Sequence, residues 1–327
     1  MTDNRYIRQQ LVAQLGSESQ EQLANARVLI VGAGGLGSPV STLLAGAGVG
    51  EITLIDDDVV SLSNLHRQTL YTESDIGELK VNAAQKRLSA INSEITINVI
   101  AERLNLDNAA ELITNSTVVV DAADNFLTSY LLSDLCFENR IPLVSASVLT
   151  THGYLGVYCG TVDKPAPSLR AVFPAPSSDV NNCNTAGVTG PSVGIIGSYQ
   201  AQEVLKVITQ SESQLLGKLM SLDLWDYRQH IIDFSKSIEP SKSASFISIN
   251  TLTQEDLLLD VRSAEECSNE PLPKTASNIP LPELAKRLNE LSRDTRIVCV
   301  CKSGQRALNA AQLLINNGYS NIYVTAR

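Results

Sequence analysis

Gly32-Ala33-Gly34-Gly35-Leu36-Gly37 comes directly after the apolar run Val28-Leu29-Ile30-Val31. A Gly-x-Gly-x-x-Gly between a strand and a helix lets backbone N–H groups approach phosphate oxygens, with the positive helix end facing the anion. Asp56, in Asp56-Asp57-Asp58 at the end of the next expected strand, suits a hydrogen bond from a ribose hydroxyl. These features alone fit a nicotinamide-dependent oxidoreductase as well as an ATP-binding protein. Residues further along the chain separate the two. Asn64, Arg67, Gln68 and Lys80 bring two cations and two amides towards the phosphates, more positive charge than a diphosphate cofactor needs. Asp124, in Asp121-Ala122-Ala123-Asp124-Asn125, offers a carboxylate for Mg²⁺ at a triphosphate, and the cations suit the charge that builds up in nucleotidyl transfer.

Two cysteines extend the chemistry to sulfur. Cys301-Lys302-Ser303-Gly304-Gln305-Arg306 succeeds a strand candidate and opens a helix, so successive N–H groups cradle a thiolate or persulfide while Arg306 adds positive charge. Cys299 on the preceding strand reads as core. Cys183 lies in a polar loop just before another expected helix, whose positive end lowers a thiol pKa. The alternative for Cys183 is a packed free cysteine.

Positioning these residues requires a layered α/β frame. Strand patterns cover 27–31, 51–55, 95–100, 117–121 and 142–148, and helical spacing covers 38–48, 79–91 and 126–138. That alternation predicts a doubly wound, Rossmann-like, mostly parallel sheet. Beyond it lie a strand at 153–162, a long irregular segment at 163–184 and a helix at 188–209, then a hairpin from 219–224 and 230–234. Residues 235–245, serine-rich with one proline, read as a linker that spans about 35 Å when extended. From 246 a smaller α/β unit begins, with strands at 257–261 and 297–300 and a helix at 306–317. The expected domains are therefore 1–234 and 246–327.

Composition narrows the classes. With 43% hydrophobic and 18% charged residues the 327-residue chain is an ordinary globular protein, and a net charge of −10 disfavours nucleic-acid partners, tRNA included. No apolar run reaches the length of a membrane span, and Met1-Thr2-Asp3-Asn4-Arg5 lacks one altogether, so a cytoplasmic location without membrane association is expected. The six cysteines are scattered without a Cys-x-x-Cys pair, which argues against both a disulfide framework and a structural zinc site.

From Arg5 to about Phe234 the chain resembles the ThiF/MoeB/HesA family, relatives of the ubiquitin-activating enzymes. The resemblance is carried by Arg5-Tyr6-Ile7-Arg8-Gln9, the glycine loop, Asp56, the stretch 61–68, Lys80 and Asp124-Asn125. It implies binding of ATP with Mg²⁺ and adenylation of the C-terminal glycine of a small ubiquitin-like protein. Arg8, Arg67, Lys80 and Asp124 are then the catalytic candidates, with Mg²⁺ at Asp124. Gly35, Asp56, Asp58, Ser61, Asn64, Gln68 and Asn125 join Arg67, Lys80 and Asp124 at the nucleotide. In that family the arginine matching Arg8 reaches the neighbouring subunit's nucleotide, which implies a homodimer. The stretch 181–191 resembles the segment that carries a conjugating cysteine, here Cys183. Many members bind zinc through two Cys-x-x-Cys pairs. The first would fall at Ser168-Leu169-Arg170-Ala171 and the second beyond Trp225; both are missing, so no zinc is expected.

The loop at Cys301, with Asp260-Val261-Arg262 upstream, resembles rhodanese domains. By that resemblance Cys301 carries a persulfide, and Arg262 and Arg306 support the anion or the fold, although the unit is short. The combined expectation is an adenylyltransferase that loads sulfur onto a carrier protein, with a donor such as a cysteine desulfurase. The segment around Cys183 points to a ThiS-like carrier in thiamine thiazole synthesis. The alternative is a MoeB/MoeZ-like activator of a MoaD-like carrier for molybdopterin or another thiolation pathway. A non-catalytic scaffold is the competing class.

Overall fold

The computed structural model describes residues 5–174, 187–272, 276–302 and 304–325. Two short helices, α1 (Ile7–Gln10) and α2 (Gly16–Asn25), precede β1 (Arg27–Val31), whose last four residues are buried on both faces as a central parallel strand requires. Next come α3 (Gly37–Ala47), β2 (Glu51–Ile55), α4 (Lys80–Ile91), β3 (Thr96–Ile100), α5 (Leu106–Thr114), β4 (Val118–Asp121), α6 (Phe126–Asn139) and β5 (Leu143–Leu149). After β6 (His152–Tyr158) come α7 (Leu169–Val172), α8 (Gly190–Ile208) and the hairpin β7 (Lys218–Asp223) and β8 (Arg228–Asp233).

These eight strands form one sheet in the order β3-β2-β1-β4-β5-β6-β7-β8, parallel through β5 and antiparallel beyond it. The chain reverses direction of travel across the sheet between β1 and β4, so a crevice opens at their carboxyl ends. Alternate residues of β1 serve opposite layers. Val28 and Ile30 pack with α3, α4 and α8, while Leu29 and Val31 pack with α5 and α6. Among the described residues no helix is long and apolar enough to cross a membrane.

A second, all-parallel sheet holds β9 (Ser245–Phe246), β10 (Leu257–Asp260), β11 (Ala276–Asn278), β12 (Ile297–Val300) and β13 (Ile322–Val324), in the order β11-β10-β12-β13-β9. Its helices are α9 (Ala264–Asn269), α10 (Leu281–Leu284) and α11 (Gln305–Asn316). The two sheets do not have separate interiors. Leu259, Val261 and Cys299 belong to the same buried cluster as Leu29, Leu127 and Leu131 of the first unit.

The segment 235–245 is no free tether. Ser168 donates from its backbone N–H (2.7 Å) and hydroxyl (2.6 Å) to the Glu239 carboxylate. Arg170 grips Asp134 through two hydrogen bonds of 2.6 and 2.9 Å and reaches the Ala244 carbonyl at 3.3 Å. Its guanidinium also lies over the rings of Tyr130 (4.6 Å) and Phe246 (5.6 Å). Polar and cation–π contacts thus stitch residues 168–170 to residues 239–246. Burial raises the pKa of Asp134, and Arg170 opposes that rise. Arg170→Ala leaves the carboxylate without its counter-charge and is expected to cost about 2–3 kcal/mol, read as a lower urea midpoint.

Candidate functional site

The glycine loop leaves β1 with Gly32 at φ +101°, where a Cβ would lie 2.6 Å from the Ala122 carbonyl oxygen. Only glycine fits so close to the end of β4 in that backbone conformation. The loop is then fastened by two side chains, Asp56 and Tyr71. Ala33 N–H donates to Asp56 Oδ2 (2.7 Å), Asp58 N–H donates to Asp56 Oδ1 (2.8 Å), and the buried Tyr71 hydroxyl donates to the Ala33 carbonyl (2.7 Å). Each Asp56 oxygen keeps a second lone pair for a ribose hydroxyl. Burial pushes the Asp56 carboxyl up, and the Lys80 charge pulls it back down.

Lys80, the first residue of α4, has a side chain only 6% exposed and donates to Asp58 at 2.8 Å. An ammonium has three donors, so the bond to Asp58 aims Lys80 without exhausting it. Asn64 and Ser61 lie on the turn between β2 and α4; the backbone N–H groups of Arg67 and Gln68 donate to the Asn64 carbonyl at 3.1 and 3.0 Å. Ser61 and Ser63 share a hydroxyl contact of 3.1 Å. Arg67 is held by the Ser63 carbonyl (3.0 Å) and the His66 ring (2.8 Å). Gln68 is buried beside Gly34, and its Oε1 has no hydrogen-bond partner among the described residues. At Gly35 a Cβ would meet Val193 of α8 at 2.9 Å, so the start of α8 closes over the loop.

On the far side of the crevice Asp124 is exposed at the end of β4, and Asn125 caps α6 by accepting from the Thr128 N–H at 3.0 Å. Asp124 forms no ion pair among the described residues; its recorded contact is the Asn125 amide at 3.5 Å. By contrast Asp58 is taken by Lys80, and Asp57 lies 3.4 Å from Arg103, although the three carboxylates 56–58 lie within 4.8 Å of one another. Asp124 is therefore the better fit for Mg²⁺. Beneath it the buried Asp121 accepts from the Ser145 hydroxyl (2.8 Å) and the Ala123 N–H (3.2 Å), and burial raises its pKa.

The structure gathers Gly35, Asp56, Asp58, Ser61, Asn64, Arg67, Gln68, Lys80, Asp124 and Asn125 around one edge. Arg8 is elsewhere. Its neighbour Gln9 donates to the Ala47 carbonyl at 2.9 Å, at the end of α3 away from the glycine loop, a helix of about 16 Å. Cys183 lies outside the described residues. Sequence reasoning missed Tyr71 and Val193, ordinary apolar-pattern residues whose role appears only once the chain is folded.

In the second unit Cys301 directly follows β12 and is 1% exposed, with its sulfur accepting from the Ala307 N–H at 3.4 Å. Arg306 donates to both Glu266 oxygens (2.7 and 2.6 Å). Glu266, unremarked in the sequence, thereby fixes the cation of the loop; Ser263-x-x-Glu266 was a legible capping box. Arg262, 2% exposed, spends its donors on Asp260 (3.0 and 2.7 Å) and the Glu270 carbonyl (2.9 Å), bracing the turn from β10 into α9. Asp256, bonded to Arg296, has its pKa lowered to about 2. A depressed carboxylate stabilises above its unfolded pKa and loses that contribution as pH falls through the folded one. Asp256→Asn is accordingly expected to cost about 1–2 kcal/mol at neutral pH, a difference that vanishes towards pH 2 in denaturant titrations.

A glycine-loop nucleotide fold joined to a sulfur-loop domain is what these two sites define. Residues 6–243 match the ThiF family and residues 249–326 match the rhodanese-like domain. The chain belongs to the ThiF family. It is 34% identical over 358 residues to the adenylyltransferase and sulfurtransferase MOCS3 of Caenorhabditis briggsae, covering 95% of this chain and 89% of that one. To the protein of the same name from Culex quinquefasciatus it is 44% identical over 221 residues, 67% of this chain and 50% of the relative, so the match spans about half of that relative's length. Among solved structures, E. coli MccB with ATP is similar with a TM-score of 0.62 and 26% identity, over 72% of each chain.

Proposed function

We propose that this chain uses ATP to adenylate the C-terminal carboxylate of a ubiquitin-like sulfur carrier and then exchanges the AMP for sulfur held on Cys301. The observation that carries the reading is the meeting of the glycine loop, Arg67 and the Asp58-held Lys80 opposite an exposed Asp124 that forms no ion pair among the described residues. The carrier's carboxylate oxygen attacks the α-phosphorus, the bond to the β-phosphate oxygen breaks, and pyrophosphate leaves. Two anions must approach in that step, so Arg67 and Lys80 supply fixed positive charge where it accumulates. Mg²⁺ at Asp124 would add charge neutralisation on the triphosphate.

Arg8, in α1 beside the end of α3 remote from the glycine loop, lies too far to reach its own loop, which supports a role at the nucleotide of a second copy and hence a homodimer. For sulfur, the terminal sulfur of a Cys301 persulfide attacks the acyl carbon, the carbon–oxygen bond to AMP breaks, and AMP departs with the electron pair. Cys183 or an external thiol then attacks the Cys301 sulfur, leaving a disulfide and releasing the carrier thiocarboxylate. A second thiol reduces that disulfide, and a donor such as a cysteine desulfurase persulfide reloads Cys301. The MOCS3 relatives favour a MoaD-like carrier over the ThiS-like one.

ATP–pyrophosphate exchange against purified MoaD-like and ThiS-like carriers tests the reading. Exchange with a MoaD-like carrier is expected. Exchange with the ThiS-like protein alone would reverse the carrier assignment, and none with any carrier would refute adenylation.

A further inference from the structure

Besides the Arg170–Phe246 contact, the second domain leans on the first at Asp107 and Leu127, and both lie at the nucleotide edge. Asp107 is in the first turn of α5, just after β3, and Leu127 is in the first turn of α6, just after β4. In a parallel sheet those turns stand at the carboxyl ends of the strands, beside the glycine loop that succeeds β1 and Asp56 that succeeds β2. Asp107 Oδ2 accepts from the Ser248 hydroxyl at 2.8 Å and from the Asn250 amide at 2.9 Å. Gly304 abuts Leu127 so closely that a Cβ there would lie 2.5 Å from its side chain. Gly304, at φ +78°, also starts the helix after the sulfur loop. The loop is therefore moulded to α6.

The chain distances make this juxtaposition useful. Gly304 is three residues from Cys301, and Leu127 is three residues from Asp124. Even if both stretches were fully extended, Cys301 and Asp124 would lie within about 28 Å of each other. The linker cannot swing the domain far from this edge, because Glu239 is held by Ser168 and the Ala244 carbonyl by Arg170. Cys301 is buried in the same cluster as Leu127, so its sulfur must become exposed before it meets an acyl group.

We infer that Leu127 and Asp107 are positioning residues that dock the sulfur loop at the nucleotide edge of its own chain, so that sulfur passes from Cys301 to the acyl-adenylate within one polypeptide. The inference rests on the proposed function for its reaction, but the docking itself has an independent readout. In the Asp107→Ala/Leu127→Ala variant, Cys301 is expected to be alkylated by iodoacetamide about 10-fold faster than in the wild type, read by peptide mass spectrometry. Cys299, buried in the core of the same domain, stays protected if the domain has undocked rather than unfolded. Equal Cys301 rates would overturn the docking, whatever the enzyme's substrate. If Cys299 also reacts, the single Asp107→Ala variant decides the matter by the same comparison.

Transfer within one chain is tested by combining Asp124→Ala chains with Cys301→Ser chains, co-expressed under two tags, with a MoaD-like carrier, MgATP, thiosulfate and dithiothreitol. Thiocarboxylate no higher than the sum of the two variants assayed separately is the expected result. Recovery towards the wild-type level would overturn transfer within the chain and place it between copies. A wild type that neither exchanges pyrophosphate nor forms thiocarboxylate refutes the proposed function instead, and leaves the alkylation result to judge the docking.

Discussion

Asp124→Ala is expected to lower carrier-dependent pyrophosphate exchange at least 100-fold while changing the unfolding free energy by less than about 0.5 kcal/mol. The separation comes from its surroundings. The Asp124 carboxylate is exposed at the end of β4, and its recorded contact is one weak amide contact from Asn125, so the fold gains little from it. The structural work of this turn is done below it, by Asp121 with Ser145 and Ala123, and beside it, by the Asn125 cap on α6. An exposed carboxylate on an otherwise well-tied turn suits a metal ion, and on the proposed reading its removal would strip charge neutralisation from the attack on ATP. A variant that loses exchange together with several kcal/mol of stability would show that Asp124 acts through the fold. Near-wild-type exchange would exclude it from the chemistry.

Cys301→Ser should bring thiocarboxylate formation to background, with pyrophosphate still released when carrier and ATP are mixed. Serine is nearly isosteric, and its oxygen accepts from the Ala307 N–H as the sulfur does, so β12 and α11 keep their junction. Arg306 keeps Glu266 as its partner, and the cation of the loop stays in place. What is lost is the atom proposed to hold sulfane sulfur. Loss of both activities would mean that the domains fail together; retention of thiocarboxylate would assign the sulfur step to another thiol.

The nucleotide edge was largely legible in the sequence because its residues are constrained by geometry that leaves a mark. Gly32 must be glycine to lie against Ala122, and β1 must be apolar throughout to pass between two helical layers. The hairpin after α8 and the second α/β unit also emerged from patterning, within a residue or two of β7, β8, β10, β12 and α11. Helix α2 did not, since only Gln20 and Leu23 of its ten residues are buried and no apolar stripe forms. Long-range polar partners were equally silent. Arg170 and Asp134 are 36 residues apart, Ser168 and Glu239 are 71 apart, and nothing local to any of them announces the pairing. For that reason the segment 235–245, judged by its serines and proline, reads as a loose tether although it is fastened to the first domain. The close fit of Gly304 is likewise made by Leu127, an ordinary leucine in a helix.

Intact-mass spectrometry of a MoaD-like carrier, after incubation with the full chain, MgATP and thiosulfate under mild reduction, tests the joined chemistry most directly. The expected product is a carrier in which one terminal oxygen has been replaced by sulfur, formed only when ATP is present. A carrier whose mass is unchanged while pyrophosphate is released, or one that gains sulfur without ATP, would contradict the coupling of the two sites.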